Sequence, residues 1–166
     1  MIDHEGVPCT NRHERGPVPR IKIAFPERSI YSVEIPLRIS DINYGGHLGN
    51  DAVLSIAQEA RIAFLRSRGW TEQDIAGTGI IMTDAAVQYI AEAFHGDVLL
   101  VDVAIVDIQP LGCDFLFRMV KKGSGREVAR VKTGIVFLDY ASRKTRPVPP
   151  EFLRAVGLQA PVKPVT

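Results

Sequence analysis

The chain has 166 residues, enough for one ordinary domain and too few for two comfortable ones. Hydrophobic residues make up 46% and charged residues 23%, a balance that argues against wholesale disorder. The net charge of +1 gives no general electrostatic case for nucleic acid or an anionic membrane, and no stretch approaches the roughly 18 apolar residues needed to span a bilayer.

The N-terminal run MIDHEGVPCTNRHERGP is polar and lacks the apolar core of a signal peptide, so the expected compartment is the cytoplasm. Cys9 in that polar run and Cys113 in an apolar segment are not expected to pair. Residues 1–26 hold Pro8, Pro17, Pro19 and Pro26 with little periodicity, and they read as an irregular or disordered arm. A single domain is expected over 27–156, with a tail at 157–166. Its first strand is YSVEIPLRIS, where Val33, Ile35 and Leu37 alternate with polar neighbours. Pro36 cannot donate to a ladder, which places this strand at an edge.

The run SDINYGGHLGN follows, and then a long helix, DAVLSIAQEARIAFLRSRG. Val53, Ile56, Ala57, Ala60 and Phe64 form one stripe, with Leu54 and Leu65 about 100° away and Ile62 nearly opposite. A helix apolar on several sides is buried by several neighbours. Asn50 or Gly49 suits its N-cap, Asp51 its first turn and Gly69 its C-cap. Four strand-like segments come next: GIIMTDAAVQYI, DVLLVDVAIVDI, CDFLFRMV and EVARVKTGIVFLD. KKGSGR between the last two is a hairpin signal, and no helical pattern separates the strands, so they should be mostly antiparallel. The closing RKTRPVPPEFLRAVG predicts a basic turn and one helical turn. The expected class is α+β, with an antiparallel sheet of about five strands curled around one central helix.

The pattern D-x-N-x-x-G-H-x-x-N followed by a helix carrying E-A-R resembles the hotdog-fold thioesterases of the 4-hydroxybenzoyl-CoA and YbgC-like type. In that family T-D-x-x-G-H-x-N-N precedes a helix with E-E-A-R. Here Gly46–Asn50 matches with Gly49 in place of the first Asn, and Glu59–Arg61 falls at the family spacing. The resemblance extends through FHGDVLLVDVAI and the closing strands, over roughly residues 31–152. It implies a helix wrapped by an antiparallel sheet, a homodimer or homotetramer with sites at the subunit interface, an acyl-CoA substrate, and no cofactor beyond the coenzyme A of that substrate.

Thioester hydrolysis needs a carboxylate to activate water or attack the carbonyl, donors for the oxyanion, and room for the acyl group. A helix N-terminus supplies free N–H groups and the positive end of a dipole. The resemblance puts that contact at about Asn50 and the catalytic acid at Asn43, whose amide cannot be a base. Asp41 stands two residues earlier and, in an extended segment, shares a face with Asn43. Either Asn43 replaces the acid, or Gly45 and Gly46 lengthen the loop. In the second case D-I-N resembles the D-x-N-x-H of plant acyl-carrier-protein thioesterases, and that resemblance makes Asp41 a candidate base, with Asn43 and His47 holding water or polarising the thioester. Glu59 on the helix is a second candidate base, with no cation at i±3 or i±4. The candidate site is therefore Asp41, Asn43, His47, Asn50 and Glu59, each of which could instead serve a turn, a cap or a solvated helix face. Asp84 in an apolar strand is a weaker candidate. Lys121, Lys122, Arg126, Arg143, Lys144 and Arg146 could meet the phosphates of coenzyme A, although turn charges are usually just solvated. No metal-ligand spacing is present in the sequence.

Two other functions fit the same run. SDINYGGH also resembles the G-D-x-N-P-x-H of hotdog enoyl-CoA hydratases, with one extra residue and no proline. Asn43 at the acid position fits a protein that binds acyl-CoA, or another protein, without catalysis.

Overall fold

A computed structural model of the protein describes residues 20–157. The strands are β1 (Tyr31–Pro36), β2 (Gly79–Tyr89), β3 (Val98–Gln109), β4 (Gly112–Lys121), β5 (Glu127–Asp139) and the short β6 (Lys144–Thr145). The helices are α1 (Asn50–Ser67) and α2 (Pro150–Ala155). Five strands form a continuous antiparallel sheet in the order β1-β3-β4-β5-β2, and β6 pairs with the end of β5. The sheet curls around α1, as the sequence pattern predicts, and β6 is an addition to the expected five.

The ends of α1 follow from its sequence. Gly49 is the N-cap, with no side-chain cap. At the other end Gly69 is left-handed (φ 78°), its N–H bonds the Arg66 carbonyl, and the Trp70 N–H bonds the Leu65 carbonyl. That pair of bonds is a Schellman closure, which a glycine permits at no steric cost. Ala60, Phe64 and Leu65 are fully buried, because strands cover more than one side of the helix.

Phe64 meets Tyr31 of β1 and Phe115 of β4 edge-on, with ring centroids 5.9 and 6.1 Å away. Phe152 of α2 closes the far end against Phe137, 5.1 Å between centroids. Buried Cys113 belongs to the same core, and burial pushes its thiol up to about 12. Cys9 lies outside the described residues. Pro36 does lie on an edge strand, since β1 pairs only with β3.

Of the predicted arm, residues 20–26 are described, and they carry no helix or strand. They cross the sheet on the face away from α1. Ile23 is buried there beside Ala104 and Leu116, and the Arg118 guanidinium lies over the Phe25 ring at 5.0 Å. No helix among the described residues is long and apolar enough to cross a membrane.

Candidate active site

The segment between β1 and α1 is built from backbone bonds. Ile39–Asp41 form one 3-10 turn, and the Asp41 carboxylate accepts the Arg38 N–H at 2.8 Å. The Arg38 guanidinium lies 3.5 Å from the same carboxylate. Asp41 is 7% exposed, and its carbonyl accepts the Gly49 N–H at 2.9 Å. The run then tightens into a small loop. The Asn43 N–H bonds the His47 carbonyl at 2.9 Å, the Gly46 N–H bonds the Asn43 carbonyl at 3.0 Å, and Gly46 is left-handed (φ 81°).

The Asn43 side chain is oriented by this loop. Its Oδ1 accepts the Gly45 N–H at 2.8 Å, so its Nδ2 is the atom that faces His47 Nδ1, at 3.4 Å. An amide that donates to Nδ1 leaves the neutral imidazole with its proton on Nε2. Gly45 makes room for the arrangement: a Cβ there would lie 3.1 Å from both Asn43 Oδ1 and His47 Nε2.

His47 and the start of α1 open into a cleft of about 240 Å³. Asn50 and Val53 line one wall, and Tyr89 to Ala93 line the other, with Glu92 the carboxylate among them. The Tyr89 hydroxyl donates to the Asn50 carbonyl at 3.1 Å, which ties the end of β2 to the helix start. With no side-chain cap, the first-turn N–H groups of α1 keep their unsatisfied donors at the cleft.

The sequence profile of the thioesterase-like superfamily matches residues 37–156, which covers the helix, all the strands after β1 and this loop. The chain belongs to the thioesterase-like superfamily. No curated protein matches it in sequence. Among solved structures it is similar to a 1,4-dihydroxy-2-naphthoyl-CoA thioesterase from Synechocystis, with 22% identity, a TM-score of 0.70, and coverage of 76% of this chain and 94% of that one. A thioesterase-superfamily protein from Jannaschia is similar at 17% identity and a TM-score of 0.70, over 82% of this chain and 89% of that one. YbaW from Escherichia coli gives 17% and 0.65, over 75% and 95%. The likeness establishes the hotdog fold.

Within this thioesterase-like frame the five sequence candidates do not converge. His47 and Asn50 share the cleft, and Asn43 supports His47 from behind. Asp41 and Asn43 do not lie side by side on an extended segment, because the chain turns at Ile39–Asp41 and the Asp41 carboxylate folds back onto Arg38. Glu59 is exposed in a different groove, between α1 and β1, with Val33, Ile35 and Arg38 among its neighbours. It lies about 13 Å along the helix from Asn50.

Asp84 is exposed and pairs with Lys132 at 3.3 Å. Of the candidate phosphate-binding cations, Lys121 pairs with Asp97 at 2.7 Å, Lys122 with Glu34 at 2.8 Å and Arg146 with Asp139 at 2.9 Å. Arg126, Arg143 and Lys144 make no ion pair among the described residues. Tyr89 and Glu92 were not among the sequence candidates. The only signal for them was two polar side chains, in QYIAEA, flanking the apolar end of a strand. No group of three or more His, Cys, Asp or Glu among the described residues is placed to hold a metal ion.

Proposed function

We propose that the protein hydrolyses acyl-coenzyme A thioesters at the start of α1. The observation that carries the reading is the uncapped first turn of α1 opening into a cleft that also holds His47 and Glu92. The thioester carbonyl docks on the first-turn N–H groups, where the helix dipole and unsatisfied donors favour developing negative charge. His47, protonated on Nε2 through its contact with Asn43, adds a donor to that oxygen. Glu92 takes a proton from water, the water oxygen bonds the acyl carbon, and the tetrahedral intermediate expels the coenzyme A thiolate. No cofactor takes part; coenzyme A enters with the substrate. Asp41 acts here by holding the loop, and Asn43 by positioning His47. The superfamily membership and the coenzyme A thioesterase from Synechocystis support the reaction class.

The test is purified protein against a panel of acyl-CoAs, with detection of free thiol. Thiol release is expected, and His47→Ala and Glu92→Gln should each lower kcat/KM at least about tenfold, roughly 1.4 kcal/mol of barrier. Glu59→Gln should leave it unchanged. If Glu59→Gln abolishes turnover and Glu92→Gln does not, the base has been misassigned. Crotonyl-CoA separates a hydratase, since loss of its conjugated absorbance without thiol means water has added to the double bond. Tight acyl-CoA binding with no turnover of any chain length would leave a binding protein.

Two copies are proposed to assemble through the β2 edge. That edge exposes Ile81 and Met82, unpaired on one side along its length. This assembly would bring the two α1 helices, and hence the two clefts, side by side.

A further inference from the structure

One cavity lies beyond the active-site cleft, further along α1. It holds about 270 Å³ between the middle of α1 and the sheet, lined by Leu54, Ser55, Gln58, Arg61, Met82 and Thr133. Leu54 and Met82 give it apolar walls. Thr133 and Arg61 give it a polar floor, where the Thr133 hydroxyl and the Arg61 Nη groups have no hydrogen-bond partner among the described residues.

Thr133 is 2% exposed and faces α1 from β5, on the same side of the strand as Val131 and Ile135. Its Oγ1 is the one buried side-chain polar atom among the described residues with no hydrogen-bond partner. Burying such a hydroxyl unpaired is costly, while valine has the same shape without that cost. A 120° rotation about χ1 carries the hydroxyl to another of the staggered positions around Cβ, so the donor can turn to the cavity.

Arg61 is 6% exposed, and Glu72 takes its Nε at 2.7 Å. Its two Nη groups make no hydrogen bond among the described residues. The Arg61–Glu72 pair is neutral as a whole, so it offers donors without net positive charge. A neutral oxygen suits it better than a carboxylate.

Resting on the acyl-CoA hydrolase reading, we propose that this cavity receives a hydroxyl or keto oxygen carried on the acyl group, with Thr133 as the residue that selects it. The cavity lies one to three helical turns past Asn50, about 6 to 16 Å along the axis. An acyl chain whose thioester sits at the helix start reaches it with its far end. The preferred substrates are therefore acyl thioesters oxygenated at their distal end, ahead of plain alkyl chains of the same length.

The experiment compares octanoyl-CoA, its terminal-hydroxyl counterpart and its terminal-carboxylate counterpart as substrates of the full chain. The non-hydrolysable thioethers of the same three are compared by calorimetry. Wild type should prefer the hydroxyl form to the alkyl form about tenfold in kcat/KM, with the carboxylate form behind the hydroxyl form. Thr133→Val should bring the hydroxyl-to-alkyl ratio to near one and melt no lower than wild type.

If no thioester is hydrolysed but the thioethers bind with the same preference, and Thr133→Val removes it, the hydrolase reading fails and the cavity assignment stands. An equal or better response to octanoyl overturns the assignment. So does a preference that survives Thr133→Val, as when a second copy of the chain fills the cavity. Failure of all three thioethers to bind overturns it as well.

Discussion

Asp41 was the strongest candidate base on paper, and its environment explains why a different role fits it. The carboxylate is buried, and its near partner is the Arg38 N–H three residues back, which makes it the cap of its own turn. Asp41→Ala should therefore cost about 1 kcal/mol of stability, as lost caps do. A chain of this size would then melt about 3 °C lower. Well below the melting point the variant should keep activity within about threefold of wild type, since a lost general base costs about a hundredfold or more. A folded Asp41→Ala protein with activity down a hundredfold would return Asp41 to the role of base. That a turn-closing role competes with a catalytic one was partly legible in the sequence. An acid five residues after the end of a strand can close a turn as well as reach a substrate, and spacing alone does not separate the two. Glu92 was illegible for a different reason. It reaches the cleft only because the end of β2 returns to the start of α1, a contact between segments some forty residues apart in the chain, tied by Tyr89 and Asn50.

The elements themselves were legible, because hydrophobic periodicity reports directly on which face is buried. The helix stripe of Val53, Ile56, Ala57, Ala60 and Phe64 is buried throughout. β6 escaped because two residues cannot show a period. It is held by chemistry at the turn before it. Asp139 accepts the Ala141 and Ser142 N–H groups, each at 2.9 Å, and pairs with Arg146. The Ser142 N–H and the Arg146 guanidinium, in that order, hold the Asp139 carboxyl down to about 2, from an ordinary value of 3.8. A depressed folded value means that the turn is fully stabilised above the ordinary value and loses that support as pH falls through the folded one. Carboxyl chemical shifts followed by NMR should place the Asp139 midpoint near 2, with β6 amides losing protection over the same range. A midpoint near 3.8 would show that these bonds do not form in solution.

At the scale of the whole molecule, the two edges of the sheet differ. β1 ends in Pro36, whose missing donor blunts that edge, whereas β2 is eleven residues long and carries exposed Ile81 and Met82. Assembly through β2 predicts a dimer by light scattering at micromolar concentration. Ile81→Lys should convert it to a monomer that keeps its far-ultraviolet dichroism. A wild-type monomer, or an Ile81→Lys dimer, would place the contact elsewhere. The sequence implies an assembly only through its family resemblance; which edge is free depends on strand order, and β2 pairs with β5 across two intervening strands in the chain.

The N-terminal segment that crosses the outside of the sheet sets an order of events during synthesis. The Ile23 carbonyl accepts from Arg130, 107 residues later, and the Ile23 N–H donates to Gln88. A chain made from its N-terminus exposes Ile23 and Phe25 first, yet their seats form only after Leu116 and Arg118 of β4 and Arg130 of β5 have left the ribosome. Two apolar side chains thus wait unprotected until the strands that seat them have been made, and a segment made before the sheet is among the last to find its place.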